Sequence, residues 1–433
     1  MRLQLTACRT TAVAACVAVA AVAAAARADD SIEAATTWFQ EPRQGGKGLT
    51  VIHPSFGVGF DLGAVVGIHL GYTADVVSGA TPAVFTVDAV SSATEFSDTR
   101  HAGSAALSFT GRSASLALSS DVGVERDYVN LSVGASATVF LPGKNTQLSL
   151  SYSHSFDEVC DRDNSDANGA LENRPLSIET CKKRGLFGED SPAIANDGTP
   201  GAGTVWRDLT IDTLQASVTQ NFTPTVVGQI NVYGSVLDGF QSNPYRRVRV
   251  GQVEAQEHHP DVRGRLAVLA RANKYVVGAR GVVGASVRGY ADTWGVEAAS
   301  AEMSYSQYVG SSLLVRLRGR FYQQTQAKFF KDAFFYQTEG PAGAYFTGDR
   351  ELAPLRNVLA GAKLSYIAAD DAGGEVWGVF DEVMFNLKAD VLFYKELPAE
   401  SPSENPTGIA RQYATSTGLI DALVLQLGLR LRY

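Results

Sequence analysis

Eight arginines fall into three groups at even spacing: Arg263, Arg265 and Arg271, then Arg316, Arg318 and Arg320, then Arg430 and Arg432. Residues two apart share one face of a β-strand, so each group would stand as a row of guanidinium groups on a single surface. Such a row attracts anions where it faces water and pairs with carboxylates where acids stand opposite. Glu382 and Asp390 share a parity and are the expected acidic partners. Two uses follow, an anion-attracting wall or a structural ladder of ion pairs, and the ladder is the favoured expectation.

Other chemistry-bearing residues are sparse. Asn164-Ser165-Asp166-Ala167-Asn168-Gly169 has oxygen ligands at the first, third and fifth positions and glycine at the sixth, the first half of a calcium loop. Pro175 stands at the twelfth position, where a bidentate Glu is needed, so an acidic loop is the better reading. His258 and His259 lie beside Glu254 and Glu257, which reads as solvated loop side chains rather than a metal site. Gly-x-Ser-x-Gly, His-Glu-x-x-His and phosphate-binding glycine loops are absent from the sequence. No catalytic residue, metal site or cofactor is therefore expected. A rim hydrolase is the alternative, because a dyad built across strands is invisible at this level.

The elements that would position the arginines alternate strongly. Leu423, Leu425, Leu427, Leu429 and Leu431 lie on one face of the last eleven residues, and Val424, Gln426, Gly428, Arg430 and Arg432 on the other, with Tyr433 last. Outer-membrane barrels alternate a lipid-facing and a lumen-facing residue in this way. The same pattern predicts strands over 33–41, 49–60, 64–76, 100–111, 113–126, 128–141, 145–157 and 205–222. Further strands are expected over 225–239, 260–272, 276–290, 292–308, 311–325, 354–368, 376–395 and 421–433. Short turns at 61–63, 142–144, 223–225 and 369–374 alternate with long connections at 77–99, 158–204, 240–259, 326–353 and 396–420, which would lie outside the cell. The expected fold is all-β, a transmembrane antiparallel up-and-down barrel of about 16 strands (14–18), without a plug domain.

The ends and the composition agree with this. Arg2 and Arg9 precede an Ala- and Val-rich run over 10–26, and Ala26-Arg27-Ala28 has a small-x-small cleavage pattern, so 1–28 reads as a cleaved secretory signal and 29–433 as one barrel. A lipoprotein signal at Val13-Ala14-Ala15-Cys16 is the weaker alternative, since the apolar run continues beyond it. Loss of the signal takes the formal net charge from −8 to −11, which excludes nucleic acid as an expected partner. Cys8 and Cys16 leave with it. Cys160 and Cys181 remain, spaced for one disulfide in an oxidising compartment, which would stabilise by roughly 3 kcal/mol in the chain-entropy model. The expected location is the outer membrane of a diderm bacterium, with lipid around the wall and assembly machinery reading the last strand.

Four stretches carry a family resemblance. They are Val51-Ile52-His53-Pro54 with the run from Tyr72 through Asp75, Ser78 and Gly79 to Pro82; Asp238 to Asn243-Pro244-Tyr245-Arg246, continuing through 260–263; Arg288-Gly289-Tyr290-Ala291-Asp292-Thr293-Trp294-Gly295; and Arg320 to Ala327, followed by a Phe-rich segment ending at Phe335. Together they resemble the bacterial domain of unknown function 3570. The chain departs from that family in its small-residue-rich strands over 100–138 and near Gly289. The resemblance implies an uncharacterised outer-membrane barrel, either a passive channel or a scaffold for a periplasmic or lipoprotein partner, and supplies no catalytic residue. Asp75, Ser78 and Arg246 are expected at the outer rim, as backbone caps or a polar cluster.

Overall fold

A computed structural model describes residues 30–41, 49–79, 96–125, 128–161, 205–242, 247–250, 253–330, 345–369, 376–397, 399 and 421–433. The first eight strands are β1 (Ser31–Glu41), β2 (Leu49–Leu62), β3 (Val66–Gly79), β4 (Phe96–Thr110), β5 (Ala114–Val124), β6 (Tyr128–Phe140), β7 (Thr146–Asp161) and β8 (Val205–Thr223). They continue as β9 (Val226–Gly239), β10 (Arg247–Val250), β11 (Val253–Gln256), β12 (Val262–Val276), β13 (Gly281–Asp292) and β14 (Glu297–Val309). The last four are β15 (Leu313–Gln324), β16 (Leu355–Ala369), β17 (Glu382–Glu396) and β18 (Ala422–Arg432). All but β10 and β11 form one closed antiparallel barrel in chain order, and β18 pairs with β1 from Ser31↔Arg432 to Gln40↔Leu423. Closure leaves no strand edge, so the ladders pair nearly all of the strand backbone without water, apart from breaks at His53-Pro54 on β2 and between Asn221 and Thr223 on β8. β10 and β11 pair with each other as a separate hairpin inside the connection expected to be a plain loop.

Strand parity divides the wall into two surfaces. Leu150, Tyr152 and Phe156 on β7, Leu317 and Phe321 on β15, Leu387 and Phe393 on β17, and Leu427 on β18 all point outward and are exposed. A continuous apolar belt of this extent is far larger than water tolerates and is what lipid solvates. No helix among the described residues is long and apolar enough to cross a membrane; the strands do the crossing.

Short connections at 63–65, 111–113, 141–145, 224–225, 277–280 and 310–312 lie at the end where β1 begins and β18 finishes, and the described parts of the β9–β12 and β15–β16 connections lie at the opposite end. Three expected strands stop short of their expected bounds. Val277–Ala279 forms a 3-10 turn, and the Asp292–Val296 segment turns through Gly295 at φ 93°. The third departure is at 376–380, where Val376 bridges Phe380 and Trp377 and Gly378 have φ 56° and 70°. Apolar residues continue into these turns, as Val276-Val277, Trp294 with Val296, and Val376-Trp377, so strand patterning alone carries the expected strands across them. At the seam, Tyr433 N–H donates to Asp30 O (2.9 Å), and its ring joins Ile32, Val383, Leu431 and Phe380 in an apolar cluster.

Candidate functional site: the basic wall and its lidded cavity

Register places Arg263, Arg265 and Arg271 on the lumen face of β12, Arg316, Arg318 and Arg320 on that of β15, and Arg430 and Arg432 on that of β18. Arg288 on β13, Lys363 on β16 and Lys388 on β17 share this surface. Two of the arginines form compact ion pairs. Arg318 donates to both oxygens of Asp390 (3.1 and 2.6 Å), and Lys388 lies 3.1 Å from the same carboxylate. Arg263 donates to Asp292 Oδ2 (3.0 and 2.5 Å) and stacks 4.1 Å above the Trp294 ring. Tyr290 Oη and Val296 N–H also donate to Asp292, so both of its oxygens are engaged.

The expected ladder is incomplete. Glu382 stands opposite Arg432 in register, yet the two form no ion pair; Arg430 instead reaches Glu33 on β1 (3.1 Å). Among the described residues no hydrogen bond or carboxylate within 4 Å is found for the side chains of Arg265, Arg288, Arg316 or Arg320. Most of the wall is therefore uncompensated.

The opposite wall is light. The lumen faces of β4–β7 present Ala102, Ser104, Ala106 and Ser108, then Ala117, Ser119, Asp121 and Gly123, then Asn130, Ser132, Gly134 and Ser136, then Ser149, Ser151, Ser153 and Ser155. Small hydroxyl and methyl groups leave space on one side of the barrel while guanidinium groups occupy the other.

Above the basic wall, at the end away from the termini, three distant segments pack into a lid. Trp294, Val296, Ala327, Phe329, Phe330 and Leu352 form its apolar centre. His258 pairs with Phe346 and Phe330 with Thr347 through backbone bridges, and Glu257 Oε1 accepts from Gly348 N–H (3.0 Å). Gln324 ties the lid to the wall by donating to Glu351 O and Ala353 O, as does Trp294 by donating to Val262 O (3.1 Å). A cavity of about 500 Å³ lies beneath, walled by β12–β15.

The remaining sequence candidates separate. His258 and His259, expected to be solvated, belong to the lid: His259 is 5 % exposed, with Trp294 and Phe329 rings against it and Glu257 Oε2 3.6 Å from its Nε2. Lid packing overrides the polar local sequence there. Tyr72 leaves the rim group, because odd spacing from Asp75 turns it to the outer face, where its hydroxyl lies 2.8 Å from His101 Nδ1. Asp75 faces inward and accepts from His53 Nδ1 (2.6 Å). Ser78 and Gly79 end β3, while Asn243, Pro244, Tyr245, Arg246, the calcium-like loop at 164–175, Cys181 and the segment 1–28 lie outside the described residues. Cys160 is buried on β7. Among the described residues no group of three or more His, Cys, Asp or Glu is placed to hold a metal ion. Sequence reasoning quoted Arg288, Tyr290 and Tyr322 only as motif letters. Their shared even parity with Asp292 and Gln324 was the signal that could have put them on the lumen face.

Three of the four stretches that carry the resemblance therefore meet at one place, around the cavity and its lid. The profile of a protein family of unknown function, DUF3570, matches residues 2–376. The chain belongs to the DUF3570 family. No curated protein matches its sequence. Among solved structures it is similar to the siderophore receptor PirA from Pseudomonas aeruginosa at 10 % identity and a TM-score of 0.39, covering 93 % of this chain and 63 % of that longer one. A bacterial polysaccharide outer membrane secretin aligns at 9 % identity and a TM-score of 0.45, covering 93 % and 98 %. OccK2 (OpdF) from Pseudomonas aeruginosa, solved with glucuronate, aligns at 10 % identity and 0.39, covering 94 % and 98 %. The chain is a DUF3570 member whose described strands close a sixteen-stranded antiparallel β-barrel.

Proposed function

We propose that this DUF3570 barrel resides in the outer membrane and passes small solutes passively, with a preference for anions. The observation that carries the reading is the division of the lumen: a largely uncompensated row of arginines faces a wall of serine, alanine and glycine. Large barrels leave an aqueous lumen when their inner side chains do not meet, and small residues on one wall favour that outcome. Fixed cations beside the resulting path raise the local concentration of anions. A rim hydrolase finds no support in the His53–Asp75 and His154–Asp212 pairs, since neither imidazole hydrogen-bonds a hydroxyl or thiol nucleophile among the described residues. Cleavage after Ala28 and a Cys160–Cys181 disulfide belong to the same proposal, as both suit an oxidising envelope.

Single-channel recording of the refolded mature chain in a planar bilayer tests this. Reproducible steps with anion selectivity are expected, and Arg316→Gln with Arg320→Gln should reduce that selectivity by roughly tenfold at low salt. A folded but silent barrel would overturn the transport reading and leave scaffolding of a periplasmic or lipoprotein partner in its place.

A further inference from the structure

We propose that the cavity beneath the lid is a binding subsite for one small solute with a single terminal oxyanion, a carboxylate or a phosphate. The proposal rests on the transport reading for its purpose but on separate residues for its chemistry. Arg265 and Arg288 reach the cavity from adjacent strands, and Arg265 Nε is shut off from solvent without a hydrogen-bond partner. Arg320, two residues before the cavity-lining Tyr322 on the same face of β15, has its Nε in the same condition.

Desolvated guanidinium donors without acceptors are costly and scarce in folded proteins. Asp292 stands opposite Arg265 in register, yet no ion pair joins them: its Oδ2 is taken by Arg263 and Tyr290 Oη, and its Oδ1 accepts from Val296 N–H. Arg318 shows the contrast: where this wall holds an arginine for structure, a carboxylate takes it bidentately. An oxyanion entering the cavity meets Arg265 and Arg288 with planar donor geometry suited to two-point binding.

The lid sets the rest of the ligand. Asp349 and Glu351 border the cavity from above, so a second anionic group at that end would be repelled. Leu209, Leu237, Leu352 and the Trp294 ring offer apolar surface between the two ends. A cavity of about 500 Å³ accommodates a molecule the size of a substituted benzoate. The structure therefore assigns an amphipathic solute with one oxyanion group, held against the strand wall.

Fluorescence titration of the folded full-length mature barrel in detergent tests the assignment, because Trp294 lines the site. Benzoate and phenyl phosphate are the probes, with benzyl alcohol as the neutral counterpart. A saturable change with either anion and none with benzyl alcohol is expected, and the stronger of the two names the oxyanion. Arg265→Gln and Arg288→Gln should each weaken binding by roughly tenfold, whereas Arg112→Gln, at a turn on the opposite end, should not. Equal response to benzyl alcohol, or an unchanged affinity in a folded Arg265→Gln, Arg288→Gln double variant, would overturn the subsite. Should the variants fail to fold, the comparison of charged and neutral probes on the unaltered barrel still decides. Recording conductance on the same preparation separates the two readings: a barrel that binds benzoate without conducting keeps the subsite and removes the transport function, and one that conducts without binding either probe does the reverse.

Discussion

At the scale of single residues, Gly361 shows how two side chains meet across an intervening strand. It faces the lumen on β16 between Arg318 on β15 and Asp390 on β17, and a Cβ there would collide with Asp390 Oδ1. Gly123 does the same on β5, leaving the path along which Arg100 donates to Asn130 (3.1 Å). Gly361→Ala is expected to destabilise the barrel by about 1–3 kcal/mol, because Asp390 is nearly buried and would lose its closest partner. Urea unfolding in detergent measures it, and the same change in an Asp390→Ser background should cost much less if the contact is responsible. Arginine parity was legible from sequence, but partner choice was not. Asp390 lies 72 residues from Arg318, so a shift of one ladder position would have given the acid to another cation. Glu382, equally plausible by parity, forms no such pair.

At the scale of elements, the β18 strand offers the sharpest check on which surface meets lipid. Leu427 is 62 % exposed near the strand's middle, and Gln426 faces the lumen beside Lys388. Leu427→Arg should cost about 2–4 kcal/mol in a bilayer, the range for a cation at the midplane, while Gln426→Arg should change stability far less. Reversible unfolding into lipid vesicles distinguishes them, and equal costs would place both positions on the same side. All sixteen barrel strands were readable because a period of two is unmistakable over ten residues or more. The lid was not. Its phenylalanines, histidine and tryptophan come from three separate stretches, and although one is visibly Phe-rich, only the closed sheet brings them together.

For the whole molecule, the uneven lumen separates the size of the path from its charge. Ser149→Trp and Ser151→Trp put bulk on the light wall and should lower single-channel conductance while leaving ion preference nearly unchanged. Arg316→Gln should do the opposite. Parallel loss of both properties in either set would show that one constriction controls them together. Composition had marked β4–β6 as unusually rich in small residues, but the meaning of that bias depended on where the strands stand relative to the arginines.

Glu257 and Gly348 are joined across 91 residues, and β12–β15 lie between them in the chain. The lid therefore carries a sense of time: its parts are synthesised on either side of four strands that must be laid edge to edge before the ends can find each other. Long-range closures of this kind form late, after shorter pairings have reduced the entropy of bringing them together. A barrel interrupted before β12–β15 have paired would lack its cap, and proteases would find its outer end open for as long as that interval lasts.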